Sequence, residues 1–205
     1  MIEPANKRAV VYVDGQNLFH HSKAAFGYKF PNYDVTALAS ETCSKFGWQM
    51  TECRFYTGIH DATVEPFWNS FWVKKTAQMG RSGVKVVTRP IRYRNKTVRL
   101  PDGSTHTFLT GEEKGVDVRI ALDIISGAVN QLYEVAILFS QDQDLAEVAS
   151  EIRMIARLQD RWIKIACAFP VSPTSSSSRG INNTDWIRID RAMYQRCIDP
   201  RDYRI

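Results

Sequence analysis

Four aspartates stand where predicted strands end or predicted helices begin, and their placement is the clearest sign of chemistry in the sequence. Asp14 follows one apolar run, and Asp142 and Asp144 follow another. Asp117 lies at the predicted start of a helix. In an open parallel sheet, ligands bind beyond the carboxyl ends of the strands. We therefore expect these carboxylates to emerge at one edge of such a sheet.

Carboxylates that share a cleft repel one another strongly, because the dielectric constant there is low. A hard divalent cation neutralises such a group, and an all-oxygen ligand set favours Mg²⁺ or Mn²⁺ over zinc. When the substrate is a phosphodiester, a cation of this kind activates water and stabilises the leaving oxygen. The aspartates therefore predict a metal-dependent site for phosphodiester hydrolysis.

Each aspartate also has a purely structural explanation. Asp14, which precedes a glycine, would serve as a turn residue or as a helix N-cap. Asp142 and Asp144 would cap the helix that follows them, and Asp117 would complement the dipole of its own helix. Independent caps have no reason to converge, so convergence in space separates the two interpretations.

The elements that must position these residues alternate between strands and helices. Such alternation predicts right-handed crossovers and a mostly parallel sheet. Apolar and β-branched runs predict strands at 9–13, 54–56, 84–88, 135–139, 162–169 and 186–189. Helical spacing of apolar residues predicts helices at 18–25, 35–46, 67–79, 116–129 and 145–158.

A turn signal at 101–103 predicts a β-hairpin insertion over about 91–109. Residues from about 172 to 181 are polar and serine-rich, which predicts a flexible loop. We expect a single α/β domain over 1–205, with its core at about 9–189. Its predicted architecture is three-layered, with a central, mostly parallel sheet.

Composition places the chain among ordinary globular proteins. The 205 residues are 44% hydrophobic and 24% charged, which excludes general disorder. Four cysteines without C-x-x-C spacing indicate neither a zinc site nor a disulfide scaffold. No apolar run approaches the roughly 20 residues that a membrane span needs, and the N-terminus lacks an apolar signal segment. We expect a reduced, cytoplasmic setting and no membrane partner.

Charges are segregated along the chain, which carries a net charge of +5. Residues 74–99 contain nine basic side chains and no acidic one, whereas residues 112–151 contain nine acidic and two basic side chains. The basic segment also contains apolar and aromatic residues, so it indicates a folded surface. That surface suits a phosphate backbone, with Arg92 and Arg94 as candidate substrate contacts. Solvated helix and strand faces are the alternative.

Three short motifs contain the four aspartates. They read VYVDGQNL at 11–18, EKGVDV at 113–118 with ALD at 121–123, and SQDQDL at 140–145. In this order they resemble the motifs of NYN domains, the LabA-like branch of the PIN-like nuclease superfamily. The resemblance covers about 9–189 and implies a PIN-like fold with a Mg²⁺- or Mn²⁺-dependent ribonuclease site.

By position, the resemblance also implies roles for individual carboxylates. Asp14, Asp117 and Asp142 would bind the metal ion, and Asp144 would support or share this role. Two further carboxylates are left open between a site role and a structural role, those of Asp123 and Asp185.

The same resemblance implies roles for neighbouring polar residues. Asn17 would orient the first aspartate or touch substrate, and Ser140 would hydrogen-bond a carboxylate of the site. Lys114 would contact phosphate or restrain the nearby aspartate. Gln141 and Gln143 occupy places where the family often has small residues, so their bulk is expected to narrow the site.

These features together predict a metal-dependent ribonuclease that cleaves RNA internally, with single-stranded RNA as the favoured substrate. The alternative is an RNA-binding or regulatory PIN-like module with weak or no turnover. A small-molecule phosphatase would use the same cation but would leave the basic hairpin without a role. The aromatic pairs at 67–68 and 71–72 are expected in the core or at a homo-oligomer contact, with base stacking less favoured.

Overall fold

The computed structural model describes residues 1–173 and 179–205. The middle of the predicted flexible loop, residues 174–178, lies outside the described residues. The helices and strands are β1 (Arg8–Asp14), α1 (Gly15–Phe26), α2 (Val35–Ser44), β2 (Gln49–Ile59), α3 (Pro66–Arg81), β3 (Lys85–Pro90), β4 (Arg92–Arg99), β5 (Thr105–Glu112), α4 (Val116–Val129), β6 (Val135–Phe139), α5 (Ala146–Leu158), β7 (Lys164–Pro170), β8 (Asp185–Ile189) and α6 (Arg191–Arg196).

Six of the strands form a parallel sheet in the order β3-β2-β1-β6-β7-β8. The chain runs outward from β1 to β3, crosses back, and then runs outward again from β6 to β8. The order therefore reverses between β1 and β6, whose carboxyl ends form the switch point where α/β sheets bind ligands. Asp14 ends β1, and Ser140 directly follows β6.

Alternation along β1 builds a layer of helices on each face of the sheet. Ala9, Val11 and Val13 pack into one apolar cluster with α1, α2, α3 and α6. Val10 and Tyr12 point the other way, into a second cluster with α4 and α5. All five side chains are buried, so β1 is covered on both faces. The predicted three-layer α/β fold is confirmed.

The predicted hairpin insertion is present as an antiparallel pair, β4 and β5, outside the main sheet. It begins and ends slightly later than predicted, at Arg92 and Glu112. Its base is held to the end of β2, because the Ile91 amide donates to the Ile59 carbonyl at 2.9 Å. The Tyr93 hydroxyl also lies 3.0 Å from Nδ1 of His60.

Several boundaries differ from the sequence-based expectation. β2 runs over Gln49–Ile59 instead of 54–56, because the first four residues of this strand alternate between exposed and half-buried and lack an apolar run. The helix predicted from 145 begins at Ala146, after a single 3₁₀ turn at Gln143–Leu145. The short α6, with only Met193 and Tyr194 buried, was not predicted.

One cation of the basic segment is not on the surface. Lys75 is 1% exposed; its ammonium group donates to the Tyr33 carbonyl at 2.9 Å and lies 3.4 Å from the Asp199 carboxylate. Its Nζ also lies over the ring of Tyr203. Lys75 therefore ties the C-terminal residues to α3 and takes no part in a phosphate-binding surface.

The two aromatic pairs of α3 divide between core and surface. Phe71 and Trp72 are buried, as the core interpretation predicts, whereas Phe67 is exposed. Trp68 is half-buried against Phe30 and packs edge-on to Phe71.

All four cysteines are free and buried. In the part of the chain that the structure describes, no helix has both the length and the apolar character to cross a membrane.

Replacing Gly127 by alanine is expected to destabilise the fold. A Cβ at this position would lie 2.7 Å from Tyr133 Cε1 and 2.9 Å from the Tyr12 hydroxyl. Both rings are fully buried, so we expect overpacking to cost about 1–3 kcal/mol in the free energy of unfolding. Gly80 is the matched control, because it is also helical and has open space around its Cβ position. Gly80→Ala should stabilise by up to about 1 kcal/mol in the same urea titration; a stabilising Gly127→Ala would contradict the packing.

Candidate active site

Asp14 lies at the switch point, held by contacts from two elements. It is 7% exposed, and its Oδ1 accepts the Asn17 amide at 3.0 Å as the N-cap of α1. The Ser140 hydroxyl donates to Oδ2 at 3.4 Å. Burial raises the pKa of Asp14 to about 6; the Asn17 amide opposes this shift, and the charges of Asp142 and Asp117 add to it. Asp14 is thus both a cap and a member of a carboxylate group.

The loop after β6 brings the third motif to the same place. The Ser140 hydroxyl accepts the Asp142 amide at 3.2 Å, and Asp142 Oδ1 accepts the Asp144 amide at 3.0 Å. Asn17 Oδ1 accepts the Gln141 amide at 2.9 Å, which joins α1 to this loop. Asp142 is half-buried and Asp144 is exposed.

Glu113 is a site residue that the sequence analysis did not single out. Its carboxylate accepts the Gly58 amide at the end of β2, and burial raises its pKa to about 7, with further contributions from the charges of Asp14 and Asp117. A Cβ at Gly58 would lie 2.6 Å from the Glu113 Oε2, so only glycine lets the carboxylate reach this amide. The available signal was the position of Glu113 as the first residue of the second motif.

The described residues leave this carboxylate group without a neutralising charge. The charges of neighbouring members raise the pKa values of Asp14 and Glu113, and no member forms an ion pair with a lysine or arginine in residues 1–173 or 179–205. Buried and half-buried carboxylates are otherwise paired in folded proteins, because an isolated charge is costly to desolvate. The group consists of Asp14, Glu113, Asp117 and Asp142.

Asp123 and Asp185, for which the sequence allows either a site role or a structural role, lie apart from the carboxylate group. Asp123 pairs with Arg119 at 2.8 Å and with Arg54 at 3.5 Å, which gives it a structural role on α4. Asp185 begins β8, at the amino edge of the sheet, and pairs with Lys164 at 2.6 Å. The structure therefore brings neither of them to the switch point.

The donor chemistry of the carboxylate group fits a hard divalent cation. Across the described ranges, no three Asp, Glu, His or Cys side chains are already gathered as a metal-ligand set. The four carboxylates nevertheless offer only oxygen atoms, and burial together with neighbouring negative charge raises the pKa values of Asp14 and Glu113.

The cations expected to touch substrate lie on the hairpin and just after it. Arg92 is exposed, and Arg94 pairs with Glu112 at 2.5 Å. Lys114 Nζ lies 3.3 Å from the same Glu112 carboxylate. Lys114 therefore pairs with Glu112. One of its two expected roles was to restrain Asp117, and among the described residues it forms no ion pair with that carboxylate.

The two glutamines of the third motif contact the segment that follows the undescribed residues. Gln141 Nε2 donates to the Arg179 carbonyl at 2.6 Å, and Gln143 Nε2 donates to the Gly180 carbonyl at 3.1 Å. Gln143 Oε1 also accepts the Asn182 amide at 3.1 Å. Their bulk holds this segment beside the loop after β6.

Comparison with known proteins points to one family and one similar fold. The NYN domain family model matches residues 8–159. A protein of unknown function from Vibrio parahaemolyticus, VPA0982, is 20% identical with a TM-score of 0.54, over 93% of this chain and 98% of its own. Ribokinase from Giardia lamblia is 11% identical with a TM-score of 0.38, over 84% of this chain and 50% of its own, which is too weak a likeness to support an argument. No curated protein gives a significant match.

Proposed function

The chain belongs to the NYN domain family, whose members are generally nucleases, and from this premise we propose that it is a metal-dependent endoribonuclease. The single observation that carries the proposal is the carboxylate group at the switch point, which no cation of the described chain neutralises. A structural role would not need this arrangement, since Asp123 shows how the same fold pairs a structural carboxylate with arginines.

Asp14, Asp117 and Asp142 would hold the ion, and Glu113 would complete or support the set. Mg²⁺ or Mn²⁺ bound there would supply an activated water and stabilise the leaving oxygen. Asn17 and Ser140 would act as positioning residues, because their hydrogen bonds fix Asp14 and join it to the loop of Asp142. Asp144, exposed beside this loop, would have a supporting role.

Arg92, Arg94 and Lys114 would bind the phosphates of an RNA strand near the carboxylate group. Such contacts fix the register of the strand without reading its sequence. Cleavage would leave a 5′-phosphate and a 3′-hydroxyl.

The free, buried cysteines support a reducing compartment, and we propose that the protein is cytoplasmic. Assignment to the LabA-like branch stays a prediction.

A closed circle of single-stranded RNA tests the proposal most directly, because it has no ends for an exonuclease. We expect the purified protein to linearise the circle in Mn²⁺ or Mg²⁺ and to stop when a chelator is added. Asp142→Asn should abolish the activity, since asparagine keeps the hydrogen bond to the Asp144 amide but removes the charge. Asp185→Asn is the matched control, because this carboxylate lies at the opposite edge of the sheet.

Equal cleavage by wild type and Asp142→Asn would refute the assignment and point to a contaminating nuclease. RNA binding without metal-dependent cleavage would instead favour the regulatory module. A single-stranded DNA circle of the same sequence, run in parallel, tests whether the 2′-hydroxyl matters to the reaction.

A further inference from the structure

The hairpin has two chemically different faces. Side chains alternate along a strand, and directly opposed residues of an antiparallel pair share a face. One face, here named the basic face, is defined by the cross-strand pairs Arg92–Glu112, Arg94–Thr110, Lys96–Phe108 and Val98–His106. The opposite face carries Tyr93–Gly111, Asn95–Leu109, Thr97–Thr107 and Arg99–Thr105.

The basic face combines cations with exposed aromatic rings. The rings of His106 and Phe108 stack with centroids 6.0 Å apart and planes 23° from parallel. Phe108 is 40% exposed, and it lies directly across the hairpin from Lys96. Aromatic rings next to cations are the arrangement with which proteins bind single strands, because a base stacks on the ring while its phosphate meets the cation.

The basic face continues into a groove beside the start of α4. The opposite face is turned to the body of the protein at its base, since Tyr93 contacts His60. Arg92, on the basic face, instead lines a groove of about 450 Å³ between the end of β3 and the start of α4. The groove is also lined by three further cations, Arg89, Lys114 and Arg119, and its lining contains no acidic residue.

Several of these cations are available to a phosphate backbone. Arg119 forms an ion pair with Asp123, and Arg94 and Lys114 both form ion pairs with Glu112. In residues 1–173 and 179–205, Arg89, Arg92 and Lys96 have no carboxylate within ion-pair distance. The basic face and the groove therefore form one surface of net positive charge.

The dimensions of this surface suit several nucleotides. Arg92 and Lys96 are four residues apart, which corresponds to about 13 Å along a strand. The groove includes Gly115, two residues before Asp117 of the carboxylate group. A strand bound along the hairpin therefore has a path into the groove and towards the start of α4, the helix that carries Asp117.

We propose that the basic face and the groove bind the single-stranded segment of RNA next to the cleaved bond, with phosphates on the cations and unpaired bases on Phe108 and His106. This inference rests on the proposed nuclease function for one statement, that the bound segment lies next to the cleaved bond. Single-stranded RNA is the substrate class, because bases within a duplex are already stacked on one another and cannot reach the rings.

Fluorescence anisotropy with a labelled 12-nucleotide oligouridine, in excess chelator so that no cleavage occurs, tests the proposal. Phe108→Ala should weaken binding about tenfold, and Phe108→Trp should restore it. Leu109→Ala is the matched control on the opposite face and should change the affinity less than about twofold. Lys96→Ala should weaken binding and lower the slope of log K against log salt by about 0.7, whereas Arg99→Ala should leave the slope unchanged.

Equal effects of the variants on the two faces would overturn the proposal, as would equal affinity for a 12-base-pair RNA duplex. Failure of the wild type to bind RNA would also overturn the proposal, and a protein would then be the favoured partner of the basic face. The outcome is separable from the nuclease proposal. Binding that depends on Phe108 and Lys96, without cleavage in Mn²⁺, supports the basic face and contradicts the nuclease alone. Cleavage that is equally fast in all four alanine variants contradicts the basic face alone.

Discussion

Replacing Asp14 by asparagine is expected to lower the rate of RNA cleavage by roughly 10²- to 10³-fold and, at the same time, to make the metal-free protein more stable. The loss of activity follows from removing the most buried carboxylate of the group, on which the binding of a divalent cation would depend. The fold should survive, because asparagine is also a favoured N-cap and its Oδ1 can still accept the Asn17 amide.

The gain in stability follows from the raised pKa of Asp14. Its pKa is about 6 in the folded protein and near 3.8 in the unfolded chain, so the folded state binds the proton more tightly. The wild type therefore loses stability as the pH rises from about 4 through about 6, and this loss is complete above that range. At pH 7.5, Asp14→Asn should exceed the wild type by about 1–3 kcal/mol in the free energy of unfolding.

Urea titrations in chelator at pH 4.5 and pH 7.5 measure this difference, which should be small at the lower pH and largest at the higher one. Asp185→Asn is the control: it removes an exposed carboxylate that pairs with Lys164, so it should cost no more than about 1 kcal/mol and leave cleavage unchanged. An Asp14→Asn protein that is less stable than wild type at pH 7.5 would show that Asp14 has a purely structural role as a cap.

How far the sequence predicts the fold depends on how each element is buried. The boundaries of β6 and α4 were predicted to the residue, because one is a continuous apolar run and the other has a clear apolar stripe. β2 was predicted too short, since its first four residues, exposed or half-buried, contain no apolar run. Lys75 was assigned to the basic surface because sequence alone does not reveal that Asp199, 124 residues later, lies beside it.

The site divides in the same way between local and long-range information. Asp14 and Asp142 were identifiable because each lies at or just after the end of a central strand, and strand order then brings them together. Glu113 was missed because its place depends on the Gly58 amide, 55 residues away in sequence. The partners of Gln141 and Gln143 on 179–182 are likewise distant, 37 to 39 residues away in sequence.

The same uncompensated charge predicts that Mn²⁺ or Mg²⁺ stabilises the folded protein. A ligand that binds only the native state adds about 2.7 kcal/mol at a concentration 100 times its dissociation constant. For a chain of this size, that corresponds to a rise of about 5–10 °C in the melting temperature. The rise should be smaller at pH 5.5 than at pH 7.5, because protons compete for Asp14 and Glu113, whose pKa values are about 6 and about 7.

Thermal unfolding with and without the divalent salt measures this effect, and sodium chloride of equal ionic strength controls for screening of surface charge. The rise should fall below about 2 °C in Asp14→Asn and Asp142→Asn, since each variant removes a ligand and part of the repulsion that the cation relieves. Asp185→Asn should respond as the wild type does. A rise of equal size in all four proteins would mean that the cation binds elsewhere, because two of the variants remove a carboxylate of the group at the switch point and Asp185 lies at the opposite edge of the sheet.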